Sequence, residues 1–191
     1  MRIYSWNMLY RNKKLDEAFE FISHSDFDIF CLQEVPEIFL KRLQTLPCFI
    51  SFRSERKLLF KKSIDHNYVV ILSKYPIEAQ GEIPFPEYWS ALPLRTRFFV
   101  LLMPSQLFTK IRDRGALYAD VKVREELVRV FNLHLILAQP AWRMREFETA
   151  MAKKNSQPTI VCGDFNILET QHITPLNWIL GGRPSDAVLY K

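Results

Sequence analysis

An α/β domain is the fold class this sequence predicts, on three observations. Short apolar runs rich in Ile, Val, Tyr and Trp alternate along the chain with stretches whose apolar residues recur at helical spacing. Some runs, such as Asp28–Gln33, are nearly continuous in apolar character, as expected for a strand buried on both faces. No internal repeat, low-complexity tract or linker composition divides the 191 residues, so one domain over 1–191 is expected.

The elements follow in order. Arg2–Trp6 is rich in Ile, Tyr and Trp and reads as a strand. Leu15–His24 carries Leu15, Ala18, Phe19 and Ile22 at helical spacing. Asp28–Gln33 is the buried strand, and Pro36 is expected to stop it from continuing as a paired central one. Glu37–Leu46 reads as a second helix. Tyr68–Ser73 and Ile77–Ile83 are strands joined across Lys74-Tyr75-Pro76, and the Pro-rich stretch from Pro84 to Arg114 reads as an excursion from the scaffold. Ala116–Val123 and Leu127–Leu137 form a hairpin across Arg124-Glu125-Glu126. Pro140 opens a helix through Lys153, where its missing N–H costs little. Pro158–Gly163 is the last strand, and Leu176–Leu180 a short helix stopped by Gly181-Gly182.

Composition narrows the function classes. Hydrophobic residues are 48% and charged residues 25%, ordinary for a globular protein. The formal net charge of +5 and pI near 9.1 suit a polyanionic partner such as nucleic acid or an acidic membrane surface. Cys31, Cys48 and Cys162 are odd in number and without ligand spacing, so they read as reduced core thiols and argue against a disulfide frame or zinc site. The N-terminal MRIYSWNMLY has no apolar signal-peptide core, and FFVLLM at 98–103 is too short to span a bilayer; a soluble, cytoplasmic chain is expected.

Several apolar runs end in polar residues. The first reaches Asn7, the second Gln33-Glu34, the third Asn132 and His134, and the fourth Asp164 and Asn166 after Gly163. Asn132 and His134 share a face because strand side chains alternate. Taken singly, each has a plainer explanation: caps and turns for the amides, a helix start for Glu34, a core histidine for His134. Together, two carboxylates beside amides and an imidazole make sense where a cation and an anionic ligand share a site, since unpaired buried charge is costly. Hard oxygens with few charges suit Mg²⁺, with Mn²⁺ the second choice, and the matching chemistry is phosphate-ester hydrolysis.

In this order, SWN at 5–7, DIFCLQEV at 28–35, NYVVILSKYPI at 67–77, RGALYADV at 114–121, FNLHL at 131–135 and VCGDFN at 161–166 resemble the endonuclease/exonuclease/phosphatase superfamily, the metal-dependent hydrolases of the exonuclease III and sphingomyelinase kind. The resemblance implies a four-layer α/β sandwich with the site at one end between two sheets. It implies Asn7 and Glu34 as the Mg²⁺-binding pair, Asp164 as the residue positioning the attacking water, Asn166 on a phosphoryl oxygen and His134 stabilising phosphate charge. Asn132 joins the expected substrate-binding set with Arg143 and Arg145, either of which matches a family arginine.

One block departs from the pattern. Family members close with Ser-Asp-His, whereas Ser185-Asp186 is here followed by Ala187, and only 25 residues (191 minus 166) follow Asn166. The resemblance therefore implies a chain lacking its C-terminal strands and its acid/base pair. Two functions stay open: a hydrolase of phosphate esters, or a non-catalytic module binding phosphate or nucleic acid. For nucleic acid stands the basic run Arg53–Lys62, whose plainer reading is a solvated surface segment. For a lipid headgroup, the weaker case, stands Phe98–Phe108 with its basic rim, whose plainer reading is a core strand plus a packed loop. No protein partner is expected.

Overall fold

The structure, a computed structural model, describes residues 1–9, 11–59, 64–87, 92–102, 109–112, 114–137, 140–167, 178–179 and 182. Among these residues the strands are β1 (Ile3–Asn7), β2 (Ile29–Pro36), β3 (Phe49–Leu59), β4 (Ile64–Ser73), β5 (Ile77–Pro84), β6 (Thr109–Arg112), β7 (Gly115–Val123), β8 (Glu126–His134) and β9 (Thr159–Asp164). The helices are α1 (Leu15–His24), α2 (Glu37–Leu43), α3 (Leu94–Leu102) and α4 (Pro140–Met151).

The strands form two mixed sheets, β1-β2-β4-β3-β6 and β5-β7-β8-β9. Pairing is antiparallel except for the parallel pairs β1/β2 and β8/β9. The turn at Lys74-Tyr75-Pro76 links strands of different sheets, so the chain crosses the sandwich there.

Strand alternation sorts the apolar residues into layers. Phe30, Leu32, Val70 and Leu72 face outward from the first sheet and pack on Ala18 and Ile22 of α1 and on Phe39, Leu40 and Leu43 of α2. Their neighbours Ile29, Cys31, Val69 and Ile71 face inward, against Leu117, Ala119, Val121 and Val130 of the second sheet. Phe131, Leu133 and Leu135 face outward again and meet Phe147, Ala150 and Met151 of α4. Helices, sheet, sheet and helix make four layers, the α/β sandwich expected above.

Several local expectations change. β2 runs three residues past Gln33 to Pro36, but, as expected, not as a central strand: the β1 pairing ends at Asn7–Gln33 and leaves one neighbour, where proline is tolerated. The run read as solvated surface belongs, as far as Leu59, to the long strand β3, with Arg53 and Glu55 buried on its inner face; residues 60–62 lie outside the described residues. Phe98–Phe108 begins as helix α3, with Phe98 and Leu102 exposed, so its first part is no core strand. The short helix at 176–180 lies outside the described residues except for Trp178 and Ile179, as does the Ser185-Asp186-Ala187 block. No described helix is long and apolar enough to cross a membrane.

Candidate active site

The inward faces change character along their length. β2 goes from Ile29 and Cys31 to Gln33, β8 from Val128 and Val130 to Asn132 and His134, and β9 from Ile160 and Cys162 to Asp164. The strands end together, so their polar tips gather at one end of the sandwich.

Asn7 ties two of these tips together. Its Nδ2 donates to Asp164 Oδ2 at 2.8 Å and to Glu34 Oε1 at 3.4 Å, while its Oδ1 accepts from the Leu9 N–H at 2.9 Å. Glu34 sits where the β2/β4 register slips between Leu32 and Val35, with φ 54°; the bulge takes it out of the regular alternation. Asp164 pairs with His134 in the β8/β9 register. The strands approach so closely that a Cβ on Gly163, at φ 137°, would lie 1.9 Å from Leu133 O. The Asn166 N–H donates to Asp164 Oδ1 at 2.9 Å, an Asx turn that holds the two residues together after the strand ends. Asn166 Nδ2 donates to Leu135 O at 2.7 Å.

His134 is buried between two carboxylates. Its Nδ1 donates to Glu55 Oε2 at 3.1 Å, and its Nε2 lies 3.7 Å from Glu34 Oε1. Burial alone would push the imidazole pKa down; the charge and hydrogen bond of Glu55, with Glu34 behind them, outweigh it and hold the pKa above its ordinary value. For Glu55, burial pushes upward, and His134, Arg114 and Arg53 together bring the carboxyl below its ordinary value. Glu55 Oε1, Asn67 Nδ2 and Ser51 Oγ are buried without a hydrogen-bond partner among the described residues, whereas buried polar atoms are ordinarily paired.

Behind His134 lies a second charged layer. Arg114 donates to Glu146 through Nε at 3.3 Å and through NH2 at 3.1 Å, and NH2 also reaches His134 O at 2.9 Å. Burial raises the Glu146 pKa, with Glu55 adding to it, against the opposing pull of Arg114 and the Ile136 N–H.

Asn7, Glu34, His134, Asp164 and Asn166 are thus brought together. Asn132 lies deeper: its Oδ1 accepts from Gln33 Nε2 at 2.7 Å, and its Nδ2 donates to Leu32 O and Val70 O at 3.0 and 2.8 Å, so the amide braces one sheet against the other. Arg143 is buried and donates to Leu137 O at 2.9 Å, beside a cavity of about 280 Å³ whose wall includes Phe147 and Phe165. Arg145 is exposed, with its guanidinium 5.0 Å from the Trp142 ring. Glu55, Arg53, Arg114 and Glu146 were not foreseen as site residues. The one sequence signal was the alternation of Ile50 and Phe52 with Ser51, Arg53 and Glu55, which marks a strand but not which face turns inward.

No group of three or more His, Cys, Asp and Glu side chains gathers into a cage among the described residues. A donor set of Glu34 and Asp164 with neighbouring amides fits a hydrated magnesium ion held by one or two carboxylates, and does not fit zinc.

The chain matches the model of the endonuclease/exonuclease/phosphatase family over residues 4–184. Comparison with curated proteins gives no match. Among solved structures it is similar to an endonuclease/exonuclease/phosphatase family protein from Leptotrichia buccalis, at TM-score 0.59 and 14% identity, covering 87% of this chain and 66% of that one. A humanized TDP2 from D. rerio has TM-score 0.61 and 15% identity, over 96% of this chain and 67% of that one. A mannosyl-6-phosphatase from Bacteroides thetaiotaomicron has TM-score 0.54 and 18% identity, over 88% and 67%. The chain thus spans about two thirds of the length of these structures.

Proposed function

Because the chain belongs to the endonuclease/exonuclease/phosphatase family, we propose that it hydrolyses phosphate esters with the aid of Mg²⁺, Mn²⁺ being the second choice. The observation that carries this reading is the Asn7 amide joining Glu34 and Asp164, carboxylates from different sheets, with the His134 imidazole beside Glu34. Two neighbouring carboxylates held by one amide and facing an imidazole suit a cation and a phosphate better than they suit each other.

In this reading Glu34 and Asn7 hold the metal, which would supply stabilisation of charge on the phosphoryl oxygens. Asp164, oriented by Asn7 and by the Asn166 N–H, holds and accepts a proton from the attacking water. Protonated His134, kept in place by Glu55, donates toward the phosphate or its leaving group. The His134–Glu55 pair is a source of acid chemistry that does not depend on residues 185–187. Asn132 acts by bracing the sheets, and Arg143 is the better placed of the two arginines for a substrate contact.

The substrate is a phosphate ester whose class stays open; the similar structures include a phosphatase by name. The case for nucleic acid is weaker than the sequence suggested, since Arg53, the first charge of its basic run, is buried.

The test is hydrolysis of p-nitrophenyl phosphate and bis(p-nitrophenyl) phosphate with Mg²⁺, with Mn²⁺ and with EDTA. Glu34→Gln and Asp164→Asn should each cut the metal-dependent rate by roughly 10²–10³-fold or more. Full rate in either variant would remove that residue from the site. Phosphate binding without turnover in the unmodified protein would favour the binding-module reading.

A further inference from the structure

We propose that Arg114 and Glu146 form a buried positioning pair that sets the place of the His134 imidazole by gripping the backbone on either side of Leu135. The inference rests on the functional reading above only for its kinetic consequence.

β8 ends at His134, and the chain must hold an imidazole next to Glu34 just where the regular ladder stops. Four consecutive backbone groups there have named partners. His134 C=O accepts from Arg114 at 2.9 Å, and the Leu135 N–H donates to Asp164 O at 2.9 Å. Leu135 C=O accepts from Asn166 at 2.7 Å, and the Ile136 N–H donates to Glu146 Oε2 at 2.7 Å. The inner two bonds come from the β9 side. The outer two come from Arg114 and Glu146, which bond to each other through both carboxylate oxygens. Backbone, guanidinium and carboxylate thus close a ring around His134–Ile136.

Stability is a poor explanation for this pair. Glu146 is fully buried and Arg114 nearly so, and a buried ion pair is often no more stabilising than apolar residues of similar volume. What it supplies, and apolar residues cannot, is two directional bonds to the backbone that carries His134. Arg114 stands at the head of β7 and Glu146 on α4, so the pair also ties the outer helix layer to the strand end. Both are positioning residues: each bonds to the backbone beside His134 and acts through it.

The experiment compares the unmodified protein with the Arg114→Met/Glu146→Leu double variant, chosen to preserve volume and fold. Thermal unfolding checks the fold, ¹⁵N-histidine NMR reads the His134 ring, and bis(p-nitrophenyl) phosphate hydrolysis with Mg²⁺ gives kcat and KM. The expected result is a folded variant whose His134 Nδ1–H loses its protection from solvent exchange. Its kcat should fall roughly 10–100-fold with KM changed less than about threefold, the scale of an ångström-sized misplacement. Unchanged ring signals and unchanged kcat would overturn the proposal.

If the double variant does not fold, Glu146→Gln carries the test. Its amide keeps one acceptor but turns a donor toward Arg114, and it should shift the His134 ring signals and lower kcat about 3–10-fold. No change in either overturns the proposal equally. Should the unmodified protein hydrolyse nothing, the functional reading fails while the ring signals still decide the positioning role.

Discussion

The two ends of the β7–β8 hairpin treat charge in opposite ways. Toward the turn, Arg129 donates to both oxygens of Asp120 at 2.7 Å, and the Tyr118 ring lies 4.3 Å from the guanidinium. These two charges complement each other, and the bond to Asp120 pushes the Arg129 pKa up. At the open end Arg114, just before β7, and His134 of β8 enter a cluster in which Glu55 Oε1 has no hydrogen-bond partner among the described residues. The backbone differs as well: Leu9, Glu34, Gly163 and Asn166 have positive φ around the site, whereas Arg124 alone does so at the turn. A closed ion pair is what stability needs. Unsatisfied buried atoms on a strained backbone are what a ligand site leaves behind.

The most severe way to break this contrast is at Gly163. Gly163→Ala places a methyl against Leu133 O at φ 137°, so a loss of about 3 kcal/mol in urea unfolding is expected, together with most activity. Unfolding at native stability would show that the β8/β9 approach is looser than described.

Next in size is a matched pair of variants. Glu55→Gln should lower kcat roughly 10–100-fold through its hold on His134. Asp120→Asn should leave kcat within about twofold and cost about 1–3 kcal/mol, the lower range for a broken pair that keeps an edge to solvent. Equal loss of activity in both would erase the distinction between the two ends.

A pH series sharpens the comparison further. The raised folded-state pKa of His134 contributes stability that is full below the ordinary value of about 6.5 and is lost as pH rises through the raised value. The lowered pKa of Glu55 contributes stability above its ordinary value, lost as pH falls through the lowered one. Unfolding free energies should therefore decline at both edges of that window, and Glu55→Gln should flatten both edges. An unchanged profile in Glu55→Gln would separate the two groups energetically. The smallest effect belongs to Arg145→Ala, with kcat and KM each changed less than about twofold, since the exposed side chain meets only Trp142 in the described structure.

Much of this molecule was legible in one dimension. β1, β7, β8, β9 and both α1 and α4 lie within a few residues of where periodicity places them. The strand-end residues Asn7, Glu34, His134, Asp164 and Asn166 converge. What misled was chemistry assumed from type: Arg53 and Glu55 looked like solvent-facing charge, and Phe98 and Leu102 like core, yet the first two are buried and the last two exposed. Asn132 shares a strand face with His134, which places it by sequence in the substrate set, but one step deeper on that face its amide bonds to Gln33, Leu32 and Val70.

The sequence by itself determined which segments are strands and helices and that polar residues stand at the strand ends, because side-chain period and backbone hydrogen bonding are local. Only the tertiary structure decided which charges face one another. Glu55 meets His134, and Glu146 meets Arg114, across separations that no local pattern encodes. The reason is electrostatic: in a buried space the pKa and orientation of a group depend on its nearest charges, and those are set by how two sheets and a helix come to rest together.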